Sequence, residues 1–160
     1  MKERNIEEHN AKKNELMEKC YDYYCENGLY GTGMKELAAH CGVSASNLYH
    51  YFKNKDDLII ESTAYCMEKV EDDFMMLAPE YQEDVIRFLN ETPEWIAKKH
   101  GKKYRMMYQV YTHPKYFEHG KRFFEGVNQR YTEYAKMLEA KIGIPYTTIT
   151  PLISIYVRAC

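Results

Sequence analysis

The sequence predicts an all-helical protein, and three observations carry that expectation. Apolar residues recur at three- and four-residue spacing through most of the 160 positions. No run alternates apolar and polar residues for long enough to make a strand; only Tyr146-Thr-Thr-Ile-Thr has strand-like composition, and it is short. Five prolines and eight glycines leave room for long helices. The expected division is a small three-helix unit over 1–54 and a larger helical unit over 55–160.

The first helix is expected from about Ile6 to Glu26, with Leu16, Met17, Cys20, Tyr23 and Tyr24 inward and Asn27-Gly28 as its stop. Thr32 is expected to cap a short second helix that ends near His40. Its inward stripe is Met34, Leu37 and Ala38, and the small Ala38 permits a close crossing. Gly42 can take positive φ and turn the chain, and Val43 plugs the turn. Ser44 caps a third helix that runs to about Phe52 with Leu48, Tyr51 and Phe52 inward. Asn54 and Asp57 form a capping pair for the fourth helix, and Asp56 and Asp57 complement its dipole. That helix reaches about Leu77 on a stripe of Leu58, Ile59, Ser62, Cys66, Val70 and Phe74, and Ala78-Pro79 ends it.

Beyond that point the signal is more broken. A helix from about Glu80 to Asn90 meets a kink or a fresh start at Thr92-Pro93-Glu94. Gly101 is the next weak point, and Lys102 to Thr112 makes a helix with Tyr104, Met107, Tyr108 and Tyr111 inward. Pro114 opens a long helix to Ile142, stopped by Gly143, on a stripe of Phe117, Phe124, Val127, Tyr131, Tyr134 and Leu138. Pro151 opens a last helix from Leu152 to Cys160, which breaks off inside an apolar run.

Composition narrows the functional classes. Net charge is −2 with a pI near 6.3. The first sixty residues hold eight Lys/Arg against ten Asp/Glu, so nucleic-acid binding cannot rest on bulk charge. It requires a local face of Lys35, Lys53, Lys55 and hydroxyl donors, with the acids turned elsewhere. The charged N-terminus lacks the apolar core of a signal peptide, and no apolar run approaches the ~20 residues that span a bilayer. A soluble cytoplasmic protein with no membrane partner is expected. The five cysteines include no CxxC pair and read as reduced, mostly buried thiols; the alternative is a redox switch between Cys20 and Cys25. The six histidines lack zinc-ligand spacing, and His113, Glu118 and His119 read as surface chemistry rather than a metal site. No cofactor is expected. There is no Gly-rich phosphate loop, no GxSxG and no catalytic carboxylate pair, so an enzyme is not expected.

The most informative stretch is Met34 to Phe52, MKELAAHCGVSASNLYHYF, two short helices about a tight turn. This is the pattern of a helix-turn-helix, whose second helix lies in the major groove of DNA. Its flanks, Gly28-Leu-Tyr-Gly-Thr-Gly-Met before it and Asn54-Lys-Asp-Asp-Leu after it, extend the pattern. From about Leu16 to Leu58 the chain resembles the DNA-binding domain of the TetR-type transcriptional regulators. The resemblance lies in Gly28 to Thr32, Leu37-Ala38, Cys41-Gly42-Val43-Ser44, Leu48-Tyr49, Tyr51-Phe52 and Lys55, and it covers the first third of the chain.

The resemblance implies a DNA-binding regulator, a repressor that a small molecule releases from its operator; the alternative is an adaptor of the same fold that binds a protein partner. By the same resemblance Thr32, Tyr49 and Lys55 would hold phosphates, as a helix start, a phenol and an ammonium are suited to do. Lys35 would lie on the same basic face. Ser44, Ala45, Ser46, Asn47 and His50 would face the bases, with Asn47 able to pair with adenine and Ala45 to touch a thymine methyl. Where the family often has a basic residue and a glycine, this chain has Ala45 and Ser46. The resemblance further implies a pocket for a small apolar or aromatic ligand in the C-terminal part. Its candidate lining is Tyr65, Met67, Met75, Trp95, Tyr104, Met107, Tyr108, Tyr111, Phe124, Tyr131 and Tyr134. The partners implied are a near-palindromic double-stranded operator and a second copy of the chain, paired through the last helices. Leu152, Ile153, Ile155, Tyr156 and Val157 look like the start of such a pairing helix, so a chain truncated relative to its relatives is expected.

Overall fold

The computed structural model describes residues 2–77 and 85–159. Among the described residues are seven helices and no strand: α1 (Lys2–Asn27), α2 (Met34–Cys41), α3 (Ala45–Tyr51), α4 (Lys55–Leu77), α5 (Val85–Tyr111), α6 (Phe117–Ile142) and α7 (Tyr146–Ala159).

The helices α1 to α3 form the head. Gly42 ends α2 at φ 70°, where a side chain would be strained, and its N–H and that of Val43 close on Ala39 and Ala38. Ser44 caps α3 by accepting a hydrogen bond from Asn47 N at 3.1 Å. Asn54 does the same for α4, taking the Asp57 N–H at 2.9 Å. The expected cap of α2 is corrected: the residue at its start is Gly33, with no side-chain bond. Thr32 is turned inward instead, 5% exposed, its hydroxyl donating to Gly28 O at 3.4 Å.

Among the described residues, two cores hold the molecule together. The larger joins Leu16, Cys20, Tyr21 and Tyr24 of α1 to Leu37 and Ala38 of α2, Leu48 of α3, and the buried faces of α4 and α5. It runs from the head into α4 and α5 without a gap. The smaller gathers Phe74, Ile96, Val127, Tyr131 and Val157 from α4, α5, α6 and α7. Tyr21, absent from the expected inner face of α1, is fully buried and donates from its hydroxyl to Lys103 O on α5 at 2.8 Å. Tyr23 is only half-buried, and its hydroxyl goes to Glu36 at 2.5 Å.

The breaks expected after Asn90 are also corrected. α5 runs unbroken through Pro93 and Gly101. Ile96, His100, Met106, Met107, Val110 and Tyr111 are buried along it, and that continuous packing outweighs one lost backbone bond at proline. Its expected beginning at Glu80 lies outside the described residues. Tyr108 and Phe117, expected inward, are exposed. The next helix opens at Phe117 rather than Pro114, after a turn in which His113 Nδ1 accepts from Lys115 N at 3.1 Å. Gly120 brings α6 onto α5 so closely that an added Cβ would stand 2.6 Å from Tyr111 Cβ. The last helix begins at Tyr146, not Leu152, and continues through Pro151. Its strand-like composition yields to a helical start at Pro145, whose carbonyl accepts from Thr148 and Ile149.

Candidate nucleic-acid interface

α3 is held from beneath and open above. Leu48 is fully buried and Tyr51 is half-buried, while Ser46, Asn47, Tyr49 and His50 are exposed. Tyr49 is 51% exposed. Ala45 is half-buried against the larger core, so its methyl is only partly available. The Ser44 hydroxyl is shared between the cap and Ser46 Oγ at 3.1 Å. The far end of α3 is pinned by α1: the His9 ring stacks on Tyr51 at 4.8 Å and meets His50 edge-on at 5.6 Å. Nothing in the spacing of His9 signals that contact, because it depends on how α1 crosses α3.

Charge around α3 is sorted by pairing. Glu18 of α1 reaches Lys69 of α4, and Asp22 and Glu26 face Lys103 and Lys102 of α5 at 3.8 and 3.5 Å. Glu61 is paired with Lys13. Asp56 is bound by Lys115 at 2.7 Å and by the Tyr116 hydroxyl at 2.6 Å, which holds its carboxyl below the usual range. Glu18, Asp22 and Glu26 are thus paired against α4 and α5, and Asp56 against the turn before α6. Lys35 and Lys53 are exposed and make no ion pair among the described residues. Lys55 is half-buried and gives one proton to Leu29 O at 3.2 Å, which ties the start of α4 to the loop before α2 and leaves two donors over. Thr32, expected to hold a phosphate, is buried with its hydroxyl turned to Gly28.

The residues expected to line a ligand pocket fall into three groups. Met67, Met107 and Tyr111 are core, and Tyr111 packs on Phe123 and Phe124 at 5.1 and 6.1 Å. Tyr65 looks the other way, toward Glu18 of α1 at 3.4 Å, and Tyr108 stacks on Phe124 at the surface. Tyr104, Trp95, Met75 and Tyr131 lie on or beside the smaller core. Tyr134 is half-buried on α6. At the centre of the third group stands a residue the sequence reading missed. Glu71 is 3% exposed and accepts from Tyr131 at 2.9 Å and Tyr104 at 3.5 Å. Burial pushes its carboxyl above the usual range, against the pull of the two phenols and Arg130. Its place between Met67 and Phe74, four and three residues away on the inner face of α4, is the signal that identifies it. An open groove of about 540 Å³ lies elsewhere, between α1 and α5, walled by Lys98, Lys99, Lys102, Lys103 and Arg105 against Asp22 and Glu26.

A buried-faced α2, a glycine turn and an α3 with its polar side outward define a helix-turn-helix head on a helical body. Residues 25–61 match the model of a family described as bacterial regulatory proteins, tetR family. The whole fold is similar to the crystal structure of a TetR family transcription regulator from Marinobacter aquaeolei VT8, with a TM-score of 0.53 and 17% identity over 99% of this chain and 86% of that one. Among curated proteins the sequence finds no match. The head thus matches the tetR family model over those residues, and the whole chain shares the all-helical fold of that neighbour. No helix among the described residues is long and apolar enough to cross a membrane.

Proposed function

We propose that this protein is a DNA-binding transcriptional regulator, acting as a homodimer on a near-palindromic operator. The observation that carries the reading is the outer face of α3: Ser46, Asn47, Tyr49 and His50 stand exposed on a helix whose other side is buried and capped. Asn47 and His50 offer base-edge donors, while Tyr49, Lys35, Lys53 and the two spare protons of Lys55 hold phosphates. Residues 1–54 are the reading head and 55–160 the regulatory body.

The same proposal extends to repression relieved by a small apolar or aromatic molecule near Trp95, Tyr104 and Tyr131. A ligand there displaces α4, which carries Glu71 at its middle and holds the head through Lys55 at its start. The dimer is supported by apolar side chains left in water on both α6 and α7: Met137 and Ile142 on the first, Leu152 (60% exposed) and Ile155 (65%) on the second.

A gel shift against the DNA upstream of its own gene, run at two salt concentrations, tests the reading. A retarded band that weakens with salt and survives non-specific competitor is expected. No band at low salt would turn the reading toward a protein-binding adaptor.

A further inference from the structure

Two thiols meet inside the head. Cys20 of α1 and Cys41, the last residue of α2, bring their sulfurs to 3.4 Å across the contact between the two helices. Both thiols are free, as are half-buried Cys25 and buried Cys66. No other cysteine pair approaches this closely among the described residues. A disulfide is about 2.05 Å long, so the gap closes with a movement of little more than ~1 Å. Neither thiol is needed for the polar face of α3.

We propose that Cys20 and Cys41 form a reversible oxidation site, joined by a peroxide into a disulfide that clamps α2 to α1 and alters how α3 is presented to DNA. The effect on DNA rests on the function proposed above; the bond itself does not. Cys41 is the attacking sulfur. It retains slight exposure where Cys20 has none, and the Cys20 S–H and the nearby Lys19 ammonium favour its thiolate against the cost of burial. The thiolate attacks one peroxide oxygen, the O–O bond breaks, and the departing oxygen leaves as water with hydrogen peroxide, or as an alcohol with an organic one. The Cys20 sulfur then attacks the resulting sulfenic acid, its proton leaving with the hydroxyl as water. Two thiols are oxidised by two electrons, the O–O bond is reduced by the same two, and a dithiol reductant reverses the bond.

The position of the pair gives the bond its leverage. Cys41 stands directly before Gly42 and Val43, the turn that fixes where α3 begins. The other end of α3 is held to α1 by the His9–Tyr51 stack. A pull on the near end with the far end pinned tilts the helix, and side chains that must meet base edges lose their register.

The test uses the whole chain. Reduced protein is treated with hydrogen peroxide, free thiols are alkylated, and non-reducing peptide mapping locates any link while operator affinity is read in the same samples. The expected result is an intrachain Cys20–Cys41 peptide, about tenfold weaker binding after oxidation, and recovery of both by dithiothreitol. Cys41→Ala binds equally with and without peroxide. Oxidation mapping to Cys25, Cys66 or Cys160, or running to sulfonic acid without a link, overturns the site. A Cys20–Cys41 link that leaves affinity unchanged overturns the regulation. If the reduced protein binds no DNA, the function proposed above fails, while the map on wild-type protein still decides the site.

Discussion

Lys55 is doing two tasks that a substitution separates. One proton holds Leu29 O; the remaining two are the donors assigned above to phosphate. Lys55→Ala is expected to weaken DNA binding uniformly across sequences and to lower the salt slope by about one. Titrations at several salt concentrations read both. Asn47→Ala and His50→Ala act differently, relaxing specificity at one or two positions per half-site, each good bidentate contact being worth about 1–3 kcal/mol of discrimination. A shift of preferred sequence in the lysine variant instead of the asparagine one would reverse these roles. Glu71→Gln tests the body. Burial raises the carboxyl's pKa from 4.5, so the native state holds its proton longer than the unfolded chain. Stability therefore falls as pH rises from about the unfolded value through the raised folded one. The amide keeps an acceptor for Tyr131 and carries no charge, so the variant should melt a few degrees higher at pH 7, the shift that about 1 kcal/mol gives at this length, and should lose that pH dependence. Melting curves from pH 4 to 8 check it. At this scale the sequence was a good guide to α3, where exposed polar residues follow from period and cap. It was a poor guide to the partners of Tyr21, Lys55 and Glu71, which lie on other segments that no local pattern locates.

The elements were legible where start and stop signals agreed with packing. Gly42, Ser44 and Asn54 mark the ends of α2, α3 and α4 as their chemistry requires. The signals misled at Pro93, Gly101 and Pro151, where a continuous buried stripe carries the helix across a local breaker. Two interfaces between elements make predictions. Gly120→Ala would place a methyl 2.6 Å from Tyr111 Cβ and 2.9 Å from its carbonyl, neither a movable chain end. It should cost about 1–3 kcal/mol by forcing α6 away from α5, measured by chemical denaturation. Asp56 anchors the start of α4 to the turn before α6 through Lys115 and Tyr116. Its folded pKa lies below 3.8, so its contribution is present above that value and is lost as pH falls through the folded one. Asp56→Asn should flatten the acid limb of the stability curve below about pH 4, read by fluorescence against pH.

The whole molecule joins a head to a body through one shared core rather than across a flexible linker. The all-helical class followed from composition and period. How α1 crosses α3, and how α4 and α5 share the larger core with the head, did not, because those arrangements depend on contacts between residues far apart in sequence. A single α3 of seven residues reads too little DNA to define a site, so pairing of two heads is the expected working unit. Leu152→Glu with Ile155→Glu should shift the species seen by sedimentation toward monomer and weaken operator binding together. Coupled loss is the expected outcome, and a monomer with full affinity would count against the pairing. The central claim is that α3 reads sequence, and selection from a randomised duplex pool tests it most directly. Wild-type protein should enrich a near-palindromic motif whose half-site positions degrade in Asn47→Ala; a pool that stays random, or an identical motif from both proteins, would contradict it.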